Sequence, residues 1–192
     1  MELINTFNSL DAQSDKGTIH DYINGYYDQE FSNKKYENIK LLEIGVGQAH
    51  SLYLWKNFFI NGQILGLENN PNLMYQFINP ECVTWIDNDS SNVKIKFCDA
   101  YSNECVDQFN TNEFDYIIDD GPHTLESQII FVQKYIDKVK VGGKLIIEDI
   151  QSDNELNHLI DLSKSMKLEY NAFDLRPNKG RYDDIILEII KN

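Results

Sequence analysis

Residues 114–123, FDYIIDDGPH, combine a nearly all-apolar run with two carboxylates, a Gly-Pro pair and a histidine. Such an apolar run is typical of a strand buried on both faces of a sheet. A second run, residues 144–147, leads directly into Glu148 and Asp149. Because the carboxyl ends of parallel strands meet at one edge of a sheet, the two acidic pairs are expected to lie close together.

Strand-like and helix-like segments alternate on both sides of these two runs. The predicted strands are residues 40–44, 63–67, 93–98, 114–119, 144–147, 168–175 and 182–190. The predicted helices are residues 50–60, 73–78, 103–109, 125–139 and 153–166, with a loop at 79–92. This order predicts an α/β fold: a doubly wound, Rossmann-like, mostly parallel seven-stranded sheet with one antiparallel strand in a C-terminal hairpin.

No repeat or change in composition marks a second domain, so residues 1–192 are predicted to form a single domain. Within it, residues 1–38 are expected to form an N-terminal helical cap segment and residues 39–192 a Rossmann-like core. The net charge of −14 disfavours binding to nucleic acid or to an anionic membrane.

The N-terminus lacks the pattern of a signal peptide, and no apolar run is long enough for a membrane helix. Cys82, Cys98 and Cys105 show no CxxC spacing and no evident pairing. They are predicted to be buried reduced thiols of a cytoplasmic protein.

A glycine turn follows the first predicted strand in residues 41–47, LLEIGVG. Gly45 and Gly47 allow the backbone to approach a nucleotide-like ligand near the N-terminus of a helix. The third glycine of the dinucleotide fingerprint is absent, since His50 takes its place, and this disfavours a nicotinamide oxidoreductase. Glu43, just before the turn, suits a ligand that carries an amino group.

Two further carboxylates end the next strands at the same edge. Glu68 ends the second strand, where an acidic residue can hold ribose hydroxyls, and Asp99 follows the third strand, where it can meet an adenine edge. Each residue alone is equally well explained as a solvated carboxylate at a strand end. Together with Glu43, their matching positions favour an adenosine-type ligand.

Four motifs resemble one known family: SDKGTIHDY at 14–22, LEIGVG at 42–47, IDDGPH at 118–123 and IED at 147–149. The sequence resembles the class I S-adenosylmethionine-dependent methyltransferases, and more narrowly the metal-dependent macrolide sugar O-methyltransferases of the mycinamicin and demethylmacrocin type. The resemblance covers roughly residues 14–190, and the two acidic motifs are the discriminating ones.

The resemblance implies that the single domain is a methyltransferase domain that uses S-adenosyl-L-methionine and releases S-adenosyl-L-homocysteine. It implies Mg²⁺ bound by Asp120, Glu148 and Asp149, with His123 as general base. The residues expected on the cofactor side are Glu43, Gly45, Gly47, Glu68, Asp99 and Asp119. A small-molecule acceptor, a sugar or glycoside, and assembly into homo-oligomers are also implied.

The chemistry of the residues agrees with these roles. Carboxylate oxygens fit Mg²⁺, and the lack of a Cys or multi-His ligand set disfavours zinc. A divalent ion can hold and acidify a sugar hydroxyl, and a histidine can accept its proton. The sequence departs from the family at Pro122, where a small residue is common, and proline restricts how His123 is presented.

The predicted activity is O-methylation of a sugar hydroxyl on a glycoside or nucleotide sugar. Two alternatives remain open: a metal-independent small-molecule methyltransferase with His123 acting alone, and a non-catalytic S-adenosylmethionine-binding partner protein. The macrolide enzymes carry an additional N-terminal domain without a counterpart in this sequence, which disfavours a macrolide acceptor. Each acidic cluster alone could also be ordinary strand-end residues, with His123 capping the next helix.

Other polar and aromatic residues have simpler interpretations. The tyrosines of residues 22–27 are expected to pack on the sheet, and Trp55 and Phe59 are expected in the core. Five charged residues flank the predicted hairpin turn and are expected to form surface ion pairs, with acceptor binding as the alternative: Asp174, Arg176, Arg181, Asp183 and Asp184. The role of His20 stays open.

Overall fold

The computed structural model describes residues 2–72 and 92–192, and its described strands form one seven-stranded sheet. The strands are β1 (Lys40–Ile44), β2 (Gln63–Glu68), β3 (Val93–Phe97), β4 (Phe114–Asp119), β5 (Val139–Ile147), β6 (Glu169–Asp174) and β7 (Ile185–Ile190). Their order is β3-β2-β1-β4-β5-β7-β6, and only β7 runs antiparallel to its neighbours. The predicted fold class is confirmed.

Short helices precede the sheet, and helices of 4 to 13 residues connect its strands. They are α1 (Glu2–Ser9), α2 (Asp15–Thr18), a π-helical turn (Ile23–Tyr27), α3 (Asp28–Glu30), α4 (His50–Phe58), α5 (Asn103–Val106), α6 (Leu125–Tyr135), α7 (Asp153–Ser165) and α8 (Arg176–Lys179). The helix predicted at 73–78 and nearly all of the loop predicted at 79–92 lie outside the described residues.

The predicted boundary between the fourth helix and the fifth strand is wrong. The helix ends at Tyr135, and β5 begins at Val139 instead of at residue 144. The apolar residues Ile136 and Val139 continue the helical spacing, but Val139 is buried in the sheet beside Phe114. Gly142, whose φ is +77°, lies in the irregular first half of β5.

Apolar side chains cover both faces of the sheet. On one face the N-terminal residues Tyr22, Tyr27 and Phe31 pack with Trp55 and Phe59, and all five are almost fully buried. On the other face, residues of the two long helices pack against β4, β5 and β7. The predictions that Trp55 and Phe59 belong to the core and that the tyrosines pack on the sheet are confirmed.

The cysteine prediction is wrong for the two cysteines that the structure describes. Cys98 and Cys105 form a disulfide, whereas both are expected from the sequence to be reduced and unpaired. The chain turns back after β3, which brings the two Cα atoms to 6.0 Å, a separation usual for paired cysteines. Cys82 lies outside the described residues.

Helices long and apolar enough to cross a membrane are absent from the described part of the chain. The carboxyl ends of the first five strands all point to one edge of the sheet. There Ile44 pairs with Asp119, and Asp119 pairs with Ile147, so the residues that follow these strands are brought side by side. The expected proximity of the two acidic pairs is confirmed.

Candidate functional site

A cavity of about 630 Å³ lies at this edge of the sheet. The glycine turn forms one side of it, Glu68 and Asp99 form another, and residues 120–123 close the end. Six predicted site residues therefore line the same space: Gly45, Gly47, Glu68, Asp99, Asp120 and His123. The N-terminal segment contributes Asp15, Thr18 and Ile19.

The two glycines of the turn are required for different reasons. Gly45 has a φ of +85°, and a Cβ atom there would lie 1.9 Å from the carbonyl oxygen of Asp120. Gly47 has a φ of +50°, but a Cβ atom there would meet nothing within 4 Å. Gly45 therefore allows the turn to pack against the strand beside it, whereas Gly47 borders the open cavity.

Glu68 holds the glycine turn in place. Its Oε2 accepts hydrogen bonds from the backbone N–H groups of Val46 and Gly47, each at 3.1 Å. Its Oε1 accepts one from the N–H of Asn70 at 2.9 Å. The carboxylate predicted to hold ribose hydroxyls thus lines the cavity, and in this structure it also organises the turn.

Asp119 lies behind the cavity wall, almost fully buried. Burial raises its pKa from 3.8 to about 6, although a 2.5 Å hydrogen bond from the hydroxyl of Tyr101 opposes that rise. Tyr101 itself lines the cavity, and its backbone N–H donates to Asp99 at 3.0 Å. No role for Tyr101 is predicted from the sequence, because this tyrosine follows the third strand without belonging to a recognised motif.

Asp120, His123 and Asp149 form a group that could hold a metal ion. One oxygen or nitrogen of each lies within 4.8 Å of the others. Nε2 of His123 is 3.7 Å from Oδ1 of Asp120 and 3.6 Å from Oδ2 of Asp149. His123 and Asp149 have φ values of +55° and +53°, which side chains other than glycine rarely adopt, and such strain is commonly stored at functional sites. Two carboxylates with one imidazole fit a divalent cation.

Lys16 lies on the inner side of this group, fully buried. Its Nζ donates to Oδ2 of Asp120 at 2.6 Å and to the carboxylate of Glu148, and it is 3.3 Å from Oε1 of Glu43. Burial alone lowers the pKa of Lys16, but the carboxylates raise it well above its ordinary value. The ammonium group is therefore charged and neutralises part of the cluster.

Glu43 and Glu148 face Lys16 rather than the cavity. Glu43 is fully buried and accepts a 2.7 Å hydrogen bond from the indole N–H of Trp55. Glu43 is expected from the sequence to meet the amino group of a ligand, and here it meets the amino group of Lys16. Glu148 is also fully buried and accepts a 2.6 Å hydrogen bond from the hydroxyl of Tyr27.

Of the three predicted metal ligands, the structure brings Asp120 and Asp149 together with His123. Asp149 is additionally fixed by the hydroxyl of Tyr22, which donates to its Oδ1 at 2.6 Å. Such roles for Tyr22 and Tyr27 are not predicted from the sequence. The motif at 14–22 places Lys16 and Tyr22 at fixed spacing, but nothing local identifies their partners.

The expectation of surface ion pairs around the hairpin turn is confirmed for Asp174 and Arg176, which pair at 2.7 Å with partly exposed side chains. It is wrong for Asp183 and Asp184. Asp183 is 6% exposed and Asp184 is fully buried. Nδ1 of His20 is 2.6 Å from Oδ1 of Asp184, so the buried histidine and aspartate pair across the N-terminal segment and the C-terminal hairpin. Residues that flank a turn are usually exposed, but here the N-terminal segment covers them.

The strand order and the glycine turn at the carboxyl ends define a class I methyltransferase fold. No protein-family model matches the sequence. The chain is 28% identical over 141 residues to the mycinamicin VI 2''-O-methyltransferase of Micromonospora griseorubida, covering 70% of this chain and 32% of that protein. It is 27% identical to the demethylmacrocin O-methyltransferase of Streptomyces fradiae, covering 70% of this chain and 33% of that one.

A solved structure of similar fold is the MycE methyltransferase of the mycinamycin pathway, in complex with Mg, SAH and mycinamycin VI. The TM-score is 0.69 at 21% identity, over 100% of this chain and 55% of MycE. The chain thus spans about a third of the length of the two curated relatives. The chain has the class I methyltransferase fold, and its sequence is similar to those of macrolide sugar O-methyltransferases.

Proposed function

We propose that this protein is an S-adenosylmethionine- and Mg²⁺-dependent O-methyltransferase that acts on a sugar hydroxyl of a small molecule. The observation that carries the proposal is the group of Asp120, His123 and Asp149 at the end of the cavity beside the glycine turn. The similarity to macrolide sugar O-methyltransferases supports the same activity.

The cavity residues suit the methyl donor. Gly45 and Gly47 leave space for close approach to the backbone, and Glu68 and Asp99 offer carboxylates for ribose hydroxyls and for the adenine edge. Asp119 does not line the cavity, but it accepts a hydrogen bond from the hydroxyl of Tyr101 and so holds that side chain in the cavity wall.

Asp120 and Asp149 supply the oxygen atoms that would hold Mg²⁺. The family resemblance adds Glu148 as a third ligand. To bind the ion, the carboxylate of Glu148 would have to give up its contact with the ammonium group of Lys16. When bound, the ion supplies Lewis acidity that positions the acceptor hydroxyl and favours loss of its proton.

His123 is proposed as the base that accepts this proton. It lines the cavity, and burial lowers the pKa of its imidazole, although Asp149 opposes that shift. A lowered pKa keeps the ring neutral near pH 7, the state that can take a proton. Lys16 contacts Asp120 and Glu148 on their buried side and neutralises part of their charge. The imidazole of His123 therefore does not need to be protonated to balance these carboxylates.

The test is a methyl-transfer screen with labelled S-adenosylmethionine over nucleotide sugars, free deoxysugars and glycosides, with Mg²⁺ and with EDTA. Transfer that requires Mg²⁺ supports the proposal. Transfer that persists in EDTA favours the metal-independent alternative. Tight binding of S-adenosylhomocysteine with no transfer to any hydroxyl acceptor favours the non-catalytic alternative.

A further inference from the structure

A second group of potential metal ligands lies beside the first. His20, Asp183 and Asp184 are all buried, and one ligand atom of each lies within 4.8 Å of the others. Atoms that coordinate one ion at about 2.0–2.6 Å lie at most about 5 Å apart, so this spacing fits a common centre. The group joins the N-terminal segment to the residues just before the last strand.

Two oxygen atoms of this group lack any hydrogen-bond partner. Oδ1 of Asp183 and Oδ2 of Asp184 are buried and make no hydrogen bond within the described part of the chain. Asp184 is fully buried. A buried carboxylate oxygen without a partner costs free energy, and buried charges are normally paired or bound to metal. These two oxygen atoms are therefore available to bind a cation.

The charged residues around the two groups of potential metal ligands also favour a bound cation. Lys16 contacts Glu43, Asp120 and Glu148, and Arg181 contacts Asp183 and Asp184. Asp149 is a sixth carboxylate, which lies between the two groups. Two cationic side chains thus face six carboxylic groups, an excess of acidic groups that bound divalent ions would offset. Arg181 alone does not balance the charges of Asp183 and Asp184, because its side chain remains 39% exposed and its Nε is 3.8 Å from Asp184.

Asp149 stands between the two groups. Its Oδ2 is 3.6 Å from Nε2 of His123, and its Oδ1 is 3.5 Å from Nδ1 of His20. A carboxylate that presents one oxygen to each of two neighbouring sites can bridge two metal ions.

We infer that His20, Asp183 and Asp184 form a second divalent-cation site, joined through Asp149 to the Mg²⁺ site proposed at Asp120 and Asp149. One imidazole nitrogen with carboxylate oxygens suits an ion such as Mn²⁺, which accepts both kinds of ligand. The second ion neutralises the buried oxygens of Asp183 and Asp184 and fixes the carboxylate of Asp149 for the first site. Ion binding at this second site does not depend on methyl transfer.

Mn²⁺ binding to the whole, chelator-treated protein tests this inference, followed by calorimetry and by electron paramagnetic resonance. Two Mn²⁺ per chain are expected, with spectral broadening as the second ion binds near the first. Asp184→Asn and His20→Gln should each reduce the number to one. Asp120→Asn should also leave one, and the Asp120→Asn/Asp184→Asn double variant none. Glu169→Gln, at an exposed carboxylate, is the matched control and should keep two.

A single Mn²⁺ in the unaltered protein overturns the inference of two joined sites. If Asp184→Asn and His20→Gln keep that ion, His20 and Asp184 form an ordinary buried hydrogen bond. Two ions that survive both Asp184→Asn and His20→Gln also overturn it, because the second ion then lies elsewhere. The number of ions bound by the unaltered protein tests the inference even if a variant fails to fold. Two bound ions without any methyl transfer would refute the proposed function and leave this inference standing.

Discussion

The ammonium nitrogen of Lys16 lies 2.6 Å from Oδ2 of Asp120, 104 residues further along the chain. The same nitrogen contacts Glu148, which follows the neighbouring strand. Lys16 and Glu148 are fully buried, and Asp120 is only 16% exposed. The N-terminal segment therefore supplies the positive charge that offsets the repulsion between these carboxylates. The site at the sheet edge is therefore incomplete without residues 14–22.

Replacing Lys16 by Met should destabilise the protein strongly at neutral pH. Removal of one partner from a buried ion pair costs about 3–5 kcal/mol, because the remaining charge is left unpaired. The measurement is urea unfolding in EDTA, so that no metal ion substitutes for the ammonium group. Lys140→Met is the matched control: its ion pair with Asp115 is partly exposed, at 42% and 26% of the side chains, and should cost at most about 1 kcal/mol.

The loss in Lys16→Met should shrink as the pH is lowered. Burial raises the pKa values of Asp120 and Glu148, so in the folded variant these groups take up protons before their unfolded counterparts do. Equal losses for Lys16→Met and Lys140→Met, or a Lys16→Met loss independent of pH, would contradict the assigned role of Lys16.

Asp119→Asn should raise stability at pH 7 by up to about 3 kcal/mol, following the size of the pKa shift. Burial raises the pKa of Asp119 from 3.8 to about 6. The folded state therefore binds this proton more tightly than the unfolded state does. The stability that the proton provides is lost as pH rises from about 4 to about 6. Asparagine stays neutral and keeps an oxygen that can accept the hydroxyl of Tyr101.

Unfolding free energies of Asp119→Asn between pH 4 and pH 7 check this prediction. The difference from the unaltered protein should grow across the pH window and then level off above it. Asp161→Asn, at a side chain that is 77% exposed, should change stability by no more than about 0.5 kcal/mol. A destabilised Asp119→Asn at pH 7 would show that the carboxylate is held by an interaction stronger than its burial cost.

The two glycines of the turn should respond differently to alanine. Gly45→Ala should prevent stable folding, because its Cβ atom would lie 1.9 Å from the carbonyl oxygen of Asp120. Gly47→Ala should fold with a loss of about 1–2 kcal/mol, the cost of the left-handed conformation alone. Its new methyl group borders the cavity, so binding of S-adenosylhomocysteine should weaken at least tenfold.

Thermal unfolding measures the first effect, and calorimetry with S-adenosylhomocysteine measures the second. Gly142→Ala is the control for a glycine with positive φ and open space far from the cavity. It should lose similar stability to Gly47→Ala and bind the ligand normally. If Gly47→Ala also binds normally, the cavity beside the turn is not the methyl-donor site.

The features that can be predicted from the sequence are those that a local sequence pattern determines. β1 and β4 have the predicted bounds, because short apolar runs bounded by a polar residue or glycine leave little choice. The acidic pairs are correctly expected at one edge, because parallel strands place their carboxyl ends together. The start of β5 is misplaced, because the apolar spacing of Ile136 and Val139 fits a helix as well as a buried strand.

The polar interior escapes prediction for a different reason. Lys16 finds its partners 104 and 132 residues away, and His20 finds Asp184 at a separation of 164. Spacing in the chain says nothing about such pairs, and charged residues are rarely buried without a partner. Asp183 and Asp184 have the sequence pattern of turn residues at the surface, and only the folding of the N-terminal segment over them makes them buried.

His123→Gln separates the role of base from that of metal ligand. We expect Mg²⁺ affinity to change by no more than about threefold, while kcat falls by about 10²–10⁴, the usual contribution of a general base. Mg²⁺ titration calorimetry and methyl-transfer rates on the acceptor found in the screen provide the two measurements. His158→Gln, at an exposed histidine whose Nδ1 lies 2.7 Å from the backbone oxygen of Asn154, is the control and should alter neither. Mg²⁺ affinity and kcat that fall together would make His123 a ligand of the ion, as its 3.6–3.7 Å distances to both carboxylates allow, and the base would then be another group.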